Sequence, residues 1–194
     1  MKKKIVIIIS IILIISLIFT IIYKTNDQFR FKLSYEYINL VDYDNGKKIK
    51  VNIPYNNHIK YLENDEIITF LTKKTGIIYF GYNTCPWCRN IVEPLIETIN
   101  KNHINNLYYV DVNKGIKGIS NKLLEILDST LDQDNSEKKG LSVPAVYFVK
   151  NGKIVYHHIG TIDGYNNPYK SMTTKQQDEL KKIYERGIEA INNG

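Results

Sequence analysis

Residues 76–82 read "GIIYFGY", an unbroken apolar run of strand length, and after two more residues the chain reads "CPWC" at 85–88. An apolar run without polar alternation is the pattern of a central strand covered on both faces, which calls for a sheet with helices on each side. The segment that follows, "RNIVEPLIETINKNH", spaces Ile91, Leu95 and Ile99 four residues apart and predicts a helix over 86–102 that Pro94 should kink. Both cysteines of the 194-residue chain therefore stand where a central strand gives way to a helix.

The flanking segments fit the same class. "EYINLVDYDNGKKIKVNI" alternates apolar and polar residues on both sides of Asn45-Gly46, a hairpin signal. Its "DYDNG" start resembles a calcium loop, but the twelfth position from Asp42 is Ile53 where such a loop needs a bidentate Glu. "ENDEIITFLTKKTG" predicts a short helix capped by Asn64, with Ile67, Ile68, Phe70 and Leu71 inward. "NLYYVDV" is a strand, "SNKLLEILDSTLDQ" a helix with Leu123, Leu124, Ile126 and Leu127 inward, and "DQDNSEKKG" a surface loop. "VPAVYFVKNGKIVYHHIG" is a second hairpin about Asn151-Gly152, and a closing helix starts at Thr173 or Thr174. Strand, helix, strand, helix, hairpin, helix predicts an α/β sheet, parallel in its first part and antiparallel at one edge.

At the N-terminus, three lysines precede Ile5 to Tyr23, nineteen residues without a charge, about the length that crosses a bilayer core. Secretory signals are usually shorter and end in small residues, yet the only alanines are Ala145 and Ala190. The expectation is an uncleaved signal anchor over 1–24, with cleavage at an atypical site as the alternative. The positive-inside rule keeps Lys2, Lys3 and Lys4 cytoplasmic and puts the remainder on the outer side. The remainder divides into an extension with a hairpin over 25–62 and one domain over 63–194. The net charge of +6 owes four lysines to residues 1–24, leaving 22 basic against 20 acidic residues elsewhere. So balanced a domain carries no electrostatic footprint for nucleic acid.

A cysteine at a strand-to-helix junction receives the unpaired amides of the first helical turn and the positive end of the helix dipole. Such placement lowers a thiol pKa from about 8.5 to roughly 3.5–7.5, which makes Cys85 the nucleophile. Pro86 suits the first helical position, where its missing N–H would have no partner. Cys88, one turn on, is expected to be more buried and to act second. Cys85 would attack a disulfide, form a mixed disulfide and be released by Cys88; oxidation runs the steps backwards. Two other uses compete. A structural disulfide over about four residues restrains the unfolded chain by only roughly 2 kcal/mol, against about 4.7 for a hundred-residue loop. A zinc site needs four ligands, and no second pair of cysteines joins His58, His103, His157 and His158.

The strand "GIIYFGY", the "CPWC" that opens a proline-bearing helix, and "LSVPAVYFVKNGKIVYHHIG" some 55 residues later resemble the thioredoxin family over residues 67–192. The resemblance implies a thioredoxin-like α/β fold, a mixed central sheet flanked by helices, joined here to an N-terminal transmembrane helix. It implies Cys85 as attacking thiol, Cys88 as resolving thiol and Pro144 as a cis-proline facing them. Val143 would offer its backbone to an extended substrate, and Trp87 would stand exposed beside the reactive sulfur; Arg89 reads as a solvated residue. The anchored form with "GYNTCPWC" is also similar to thioredoxin-like accessory proteins found with bacteriocin secretion systems.

The chain also departs from the family. A buried acid usually stands six residues before the first cysteine, where this chain has Tyr79, and Pro94 lies one residue later than the thioredoxin helix proline. "CPWC" is closer to the "CPYC" of glutaredoxins, and Val before the proline resembles exported disulfide oxidases. The function expected is an extracytoplasmic thiol-disulfide oxidoreductase without bound cofactor or metal. Its partners would be exported proteins or peptides with cysteines, the membrane, and a redox-recycling protein. The alternatives are a Cu(I) carrier that adds His157 or His158 to the thiols, and a non-catalytic peptide-secretion accessory. As strand neighbours, the two histidines should face opposite sides.

Overall fold

A computed structural model describes residues 2–38, 40–41, 48–63, 65–113, 121–127 and 140–193. Helix α1 (Lys2–Thr25) is followed, after Asn26 alone, by α2 (Asp27–Tyr37). Strands β1 (Leu40–Val41) and β2 (Lys48–Ile49) pair antiparallel. Then come β3 (Ile59–Tyr61), α3 (Asp65–Lys73), β4 (Gly76–Gly81), α4 (Pro86–Lys101), β5 (Leu107–Asp111) and α5 (Asn121–Leu127). The chain finishes with β6 (Ala145–Lys150), β7 (Lys153–Ile159) and α6 (Thr174–Asn193). The turn at Asn45-Gly46, the cap at Asn64 and residues 132–139 of the expected surface loop lie outside the described residues.

Five strands form one sheet in the order β3-β5-β4-β6-β7. β3, β5 and β4 run parallel, while β6 and β7 are antiparallel, as the sequence predicted for the two halves. Side chains alternate between the two faces of each strand. Ile77, Tyr79, Leu107, Tyr109, Val146 and Phe148 enter one apolar cluster with α4, α6 and α2. Ile78, Phe80, Val110, Tyr147 and Val149 enter a second cluster with α3 and α5. The unbroken apolar run is thus the sheet's central strand, buried on both faces from Ile77 to Gly81.

Two elements were not anticipated. α2 starts on Asn26, whose side chain accepts from the Phe29 amide at 2.9 Å, and buries Phe31 and Tyr35 one turn apart. β3 lies beside β5, and its Tyr61 amide donates to the Asp27 carboxylate at 3.1 Å. Glu36, expected to open the first hairpin, belongs to α2 and accepts from the Ile53 amide at 2.8 Å. Phe31, Tyr35, Val51, Ile53 and Ile59, all from the 25–62 segment, share one core cluster with α4.

The second hairpin forms as expected, with Asn151 at φ 50 and Gly152 at φ 72, the left-handed pair that a type I′ turn requires. The Gly152 amide donates to the Lys74 carbonyl, one residue past α3, at 2.9 Å, and a Cβ there would meet the Thr72 carbonyl at 2.0 Å. α6 opens with a capping box: the Thr173 amide donates to the Gln176 side chain at 2.9 Å while the Gln176 amide donates to Thr173 Oγ1 at 3.3 Å. α1 is long and apolar enough to cross a membrane, and none of it is buried inside the protein.

Candidate active site

The chain leaves β4 at Gly81, turns through Tyr82 to Thr84, and enters α4 with Cys85 as the N-cap and Pro86 at the first helical position. The Cys85 amide closes the turn on the Tyr82 carbonyl at 3.2 Å. Cys85 has extended backbone angles, φ −70 and ψ 118, and its Sγ takes the role that a Ser or Asp oxygen plays in an ordinary cap. The Cys88 amide donates to that sulfur at 3.2 Å. α4 then runs as one helix past Pro94, burying Ile91, Val92, Leu95, Ile96 and Ile99 against the sheet.

The two thiols are separated in acidity. A hydrogen bond from Cys88 holds the Cys85 thiol below its ordinary value against the cost of burial, helped by the amides of Cys88 and Trp87 and the side chain of Tyr82. Burial pushes the Cys88 thiol far up, and its contact with Cys85 adds to the rise. Cys85 is 3% exposed and Cys88 fully enclosed. Both are free thiols. This is the division of labour that dithiol exchange needs: one sulfur ionises readily, and the other stays protonated until a mixed disulfide forms beside it.

The remaining expected site residues fall as follows. The Val143-Pro144 bond is cis; Pro144 is buried and Val143 half-buried. Ala145 pairs with Phe80, so Pro144 stands at the end of the sheet where β4 delivers the chain to Cys85. Trp87 is half-buried and meets the Tyr165 ring edge-on with centroids 5.8 Å apart. Asn90, from the next turn of α4, donates to the Pro168 carbonyl at 2.8 Å, so the 160–170 loop is fastened over the start of α4. Sequence reasoning missed Tyr165 and Asn90, because their pairing depends on a loop without periodic signal.

Arg89 is a correction. It is buried, not solvated, and Nη1 donates to the carbonyls of Tyr35 at 2.7 Å and Asn83 at 3.1 Å. α2, which the sequence did not reveal, supplies the first of these carbonyls. The two histidines do face apart: His157 stacks on Tyr147, while His158 meets Tyr184 and contacts the Thr161 carbonyl through Nε2 at 2.8 Å. Among the described residues, no three of His, Cys, Asp or Glu are grouped as metal ligands would be.

No protein-family model matches the chain, and neither does any curated protein. The chain is similar to solved structures of thioredoxins. Thioredoxin O2 from Arabidopsis thaliana in the oxidized state is 18% identical with TM-score 0.43, over 67% of this chain and 94% of that one. Thioredoxin from Trypanosoma brucei brucei is 14% identical with TM-score 0.41, over 71% and 99%. Thioredoxin from Malassezia sympodialis is 15% identical with TM-score 0.39, over 64% and 90%. The fold itself is of the α/β class, a mixed five-stranded sheet flanked by helices, with an apolar N-terminal helix added.

Proposed function

We propose that this protein is a membrane-anchored thiol-disulfide oxidoreductase whose domain lies outside the cytoplasm and acts on disulfides of exported proteins or peptides. The observation that carries the reading is the cap: Cys85 Sγ receives the Cys88 amide at the start of α4, with its acidity raised while that of Cys88 is suppressed. The Cys85 thiolate attacks one sulfur of a substrate disulfide, and the other leaves as a thiolate. Cys88 loses its proton and attacks Cys85 Sγ, which closes the Cys85-Cys88 disulfide and frees the second substrate thiol. Two electrons pass from the pair to the substrate, and the reverse sequence oxidises a substrate dithiol. A recycling partner resets the pair, and its potential sets the net direction.

In this reading the ends of an extended substrate lie along Val143 and Pro144, with Trp87 at the rim. α1 supplies the anchor, and the three lysines that open it favour the orientation with the domain outside. The test uses the full chain in detergent micelles with a disulfide-bearing peptide. Cys85→Ser should abolish exchange and Cys88→Ser should trap a mixed disulfide; unchanged exchange in Cys85→Ser overturns the reading. Protease accessibility in intact cells tests the orientation, with a protected domain as the contrary result.

A further inference from the structure

The Tyr79 ring lies on the α4 side of the sheet, fully buried, with its hydroxyl 3.0 Å from that of Tyr35. Its seat is built by an absent side chain. A Cβ on Gly81 would stand 2.4 Å from the Tyr79 hydroxyl oxygen, so only a glycine two residues along the strand leaves the phenol room to reach the start of α4. There it neighbours the Cys88 side chain, which is buried in the same space. Behind the pair, the Tyr109 ring meets that of Tyr35 edge-on with centroids 6.3 Å apart, and its hydroxyl donates to the Gly81 carbonyl at 3.2 Å. Four groups far apart in sequence therefore make one buried array ending on the resolving sulfur.

Each phenol can donate one hydrogen and accept others, so the array has two polarities. With Cys88 as a thiol, its S–H donates to Cys85, Tyr79 donates to Tyr35, and Tyr109 donates to the Gly81 carbonyl. With Cys88 as a thiolate, Tyr35 donates to Tyr79 and Tyr79 donates to the sulfur. Neither state leaves a buried hydroxyl of this array unpaired, and a chain of such bonds strengthens its terminal member. Burial holds the phenols of Tyr79 and Tyr35 well above their ordinary values, which keeps both protonated and makes Tyr79 a donor and not a base.

We propose that the Tyr79 hydroxyl, backed by Tyr35, is a catalytic group of the resolving step: it donates to the Cys88 thiolate as that sulfur gives up its proton to water and attacks Cys85 Sγ. The proposal rests on the dithiol reading above. It assigns this chain a neutral donor behind the resolving thiol, acting by stabilising the anion without accepting its proton.

Reaction of the reduced full chain in micelles with an aromatic disulfide, followed by stopped flow, separates the two steps. Cys85 attack releases one aryl thiolate, and closure of the Cys85-Cys88 disulfide releases the second. In Tyr79→Phe the second phase should slow by roughly tenfold or more, the scale of a hydrogen bond to a charged group, with the first phase unchanged. Its pH profile should move to higher pH, and Tyr35→Phe should produce the same split to a smaller degree. Equal slowing of both phases, slowing of the first alone, or no change in either overturns the proposal. Should Tyr79→Phe not fold, as judged by circular dichroism, Tyr35→Phe reads the same split and decides it. A wild-type chain releasing only one thiolate would instead overturn the dithiol reading itself.

Discussion

The Arg89 guanidinium donates from Nη1 to the main-chain carbonyl of Tyr35 at 2.7 Å, a bond between residues 54 positions apart. The same nitrogen reaches the Asn83 carbonyl, so one cation fastens α2 to the turn that presents Cys85. Arg89→Met keeps much of the volume and leaves both carbonyls without this donor. It should cost about 2–3 kcal/mol in denaturant unfolding, with faster amide exchange in α2. Arg89→Lys should recover little of that, because an ammonium cannot reproduce the planar fork.

Cys85 should react as a thiolate at a pH where an unperturbed cysteine does not. The rate of alkylation by iodoacetamide rises with the ionised fraction, so its midpoint should fall below the ordinary value of about 8.5. Mass spectrometry should place the adduct on Cys85 and find Cys88 unmodified in the native protein, since that sulfur is fully enclosed.

Burial lowers the pKa of His158, and its Nε2 contact with the Thr161 carbonyl requires the proton on that nitrogen in the neutral ring. A base depressed on folding is bound by fewer protons in the native state than in the unfolded one. Stability is therefore full above the unfolded value of about 6.5 and is lost as pH falls from there through the lower folded value. Thermal unfolding across that window should show the decline, and His158→Gln should flatten it.

Gly187 lies inside α6 against the Phe148 ring, and a Cβ there would come within 2.4 Å of it. Helix propensity alone would make Gly187→Ala stabilising by about 1 kcal/mol. Overpacking of the rigid ring should outweigh that and give a net loss of about 1–3 kcal/mol in denaturant unfolding.

The sheet from β4 onward was legible because each element carries its own local signal. "GIIYFGY" has no polar interruption, Asn151-Gly152 is a turn with one preferred geometry, and Pro86 marks a helix start. α2 was not legible. "FRFKLSYEY" alternates apolar and polar residues like a strand, and only Phe31 and Tyr35 reach the core. Its helix is secured by the Asn26 cap and by contacts to β3 and Arg89, which no window of sequence contains. The same gap hid part of the site: Tyr79 could be read as a departure from a family pattern, but its partner Tyr35 lay in an element not yet assigned.

α1 and α2 are separated by Asn26 alone, whose amide still bonds to the Ile22 carbonyl and whose own carbonyl accepts from Arg30. With α1 in a bilayer, as proposed, the catalytic domain is on no leash: it turns as the anchor turns and cannot sweep the space above the lipid. Its clients must come to it, by lateral encounter within the membrane plane or as chains emerging close to the surface. Flexible residues inserted beside Asn26 would widen that reach at the expense of a fixed height and heading for Cys85.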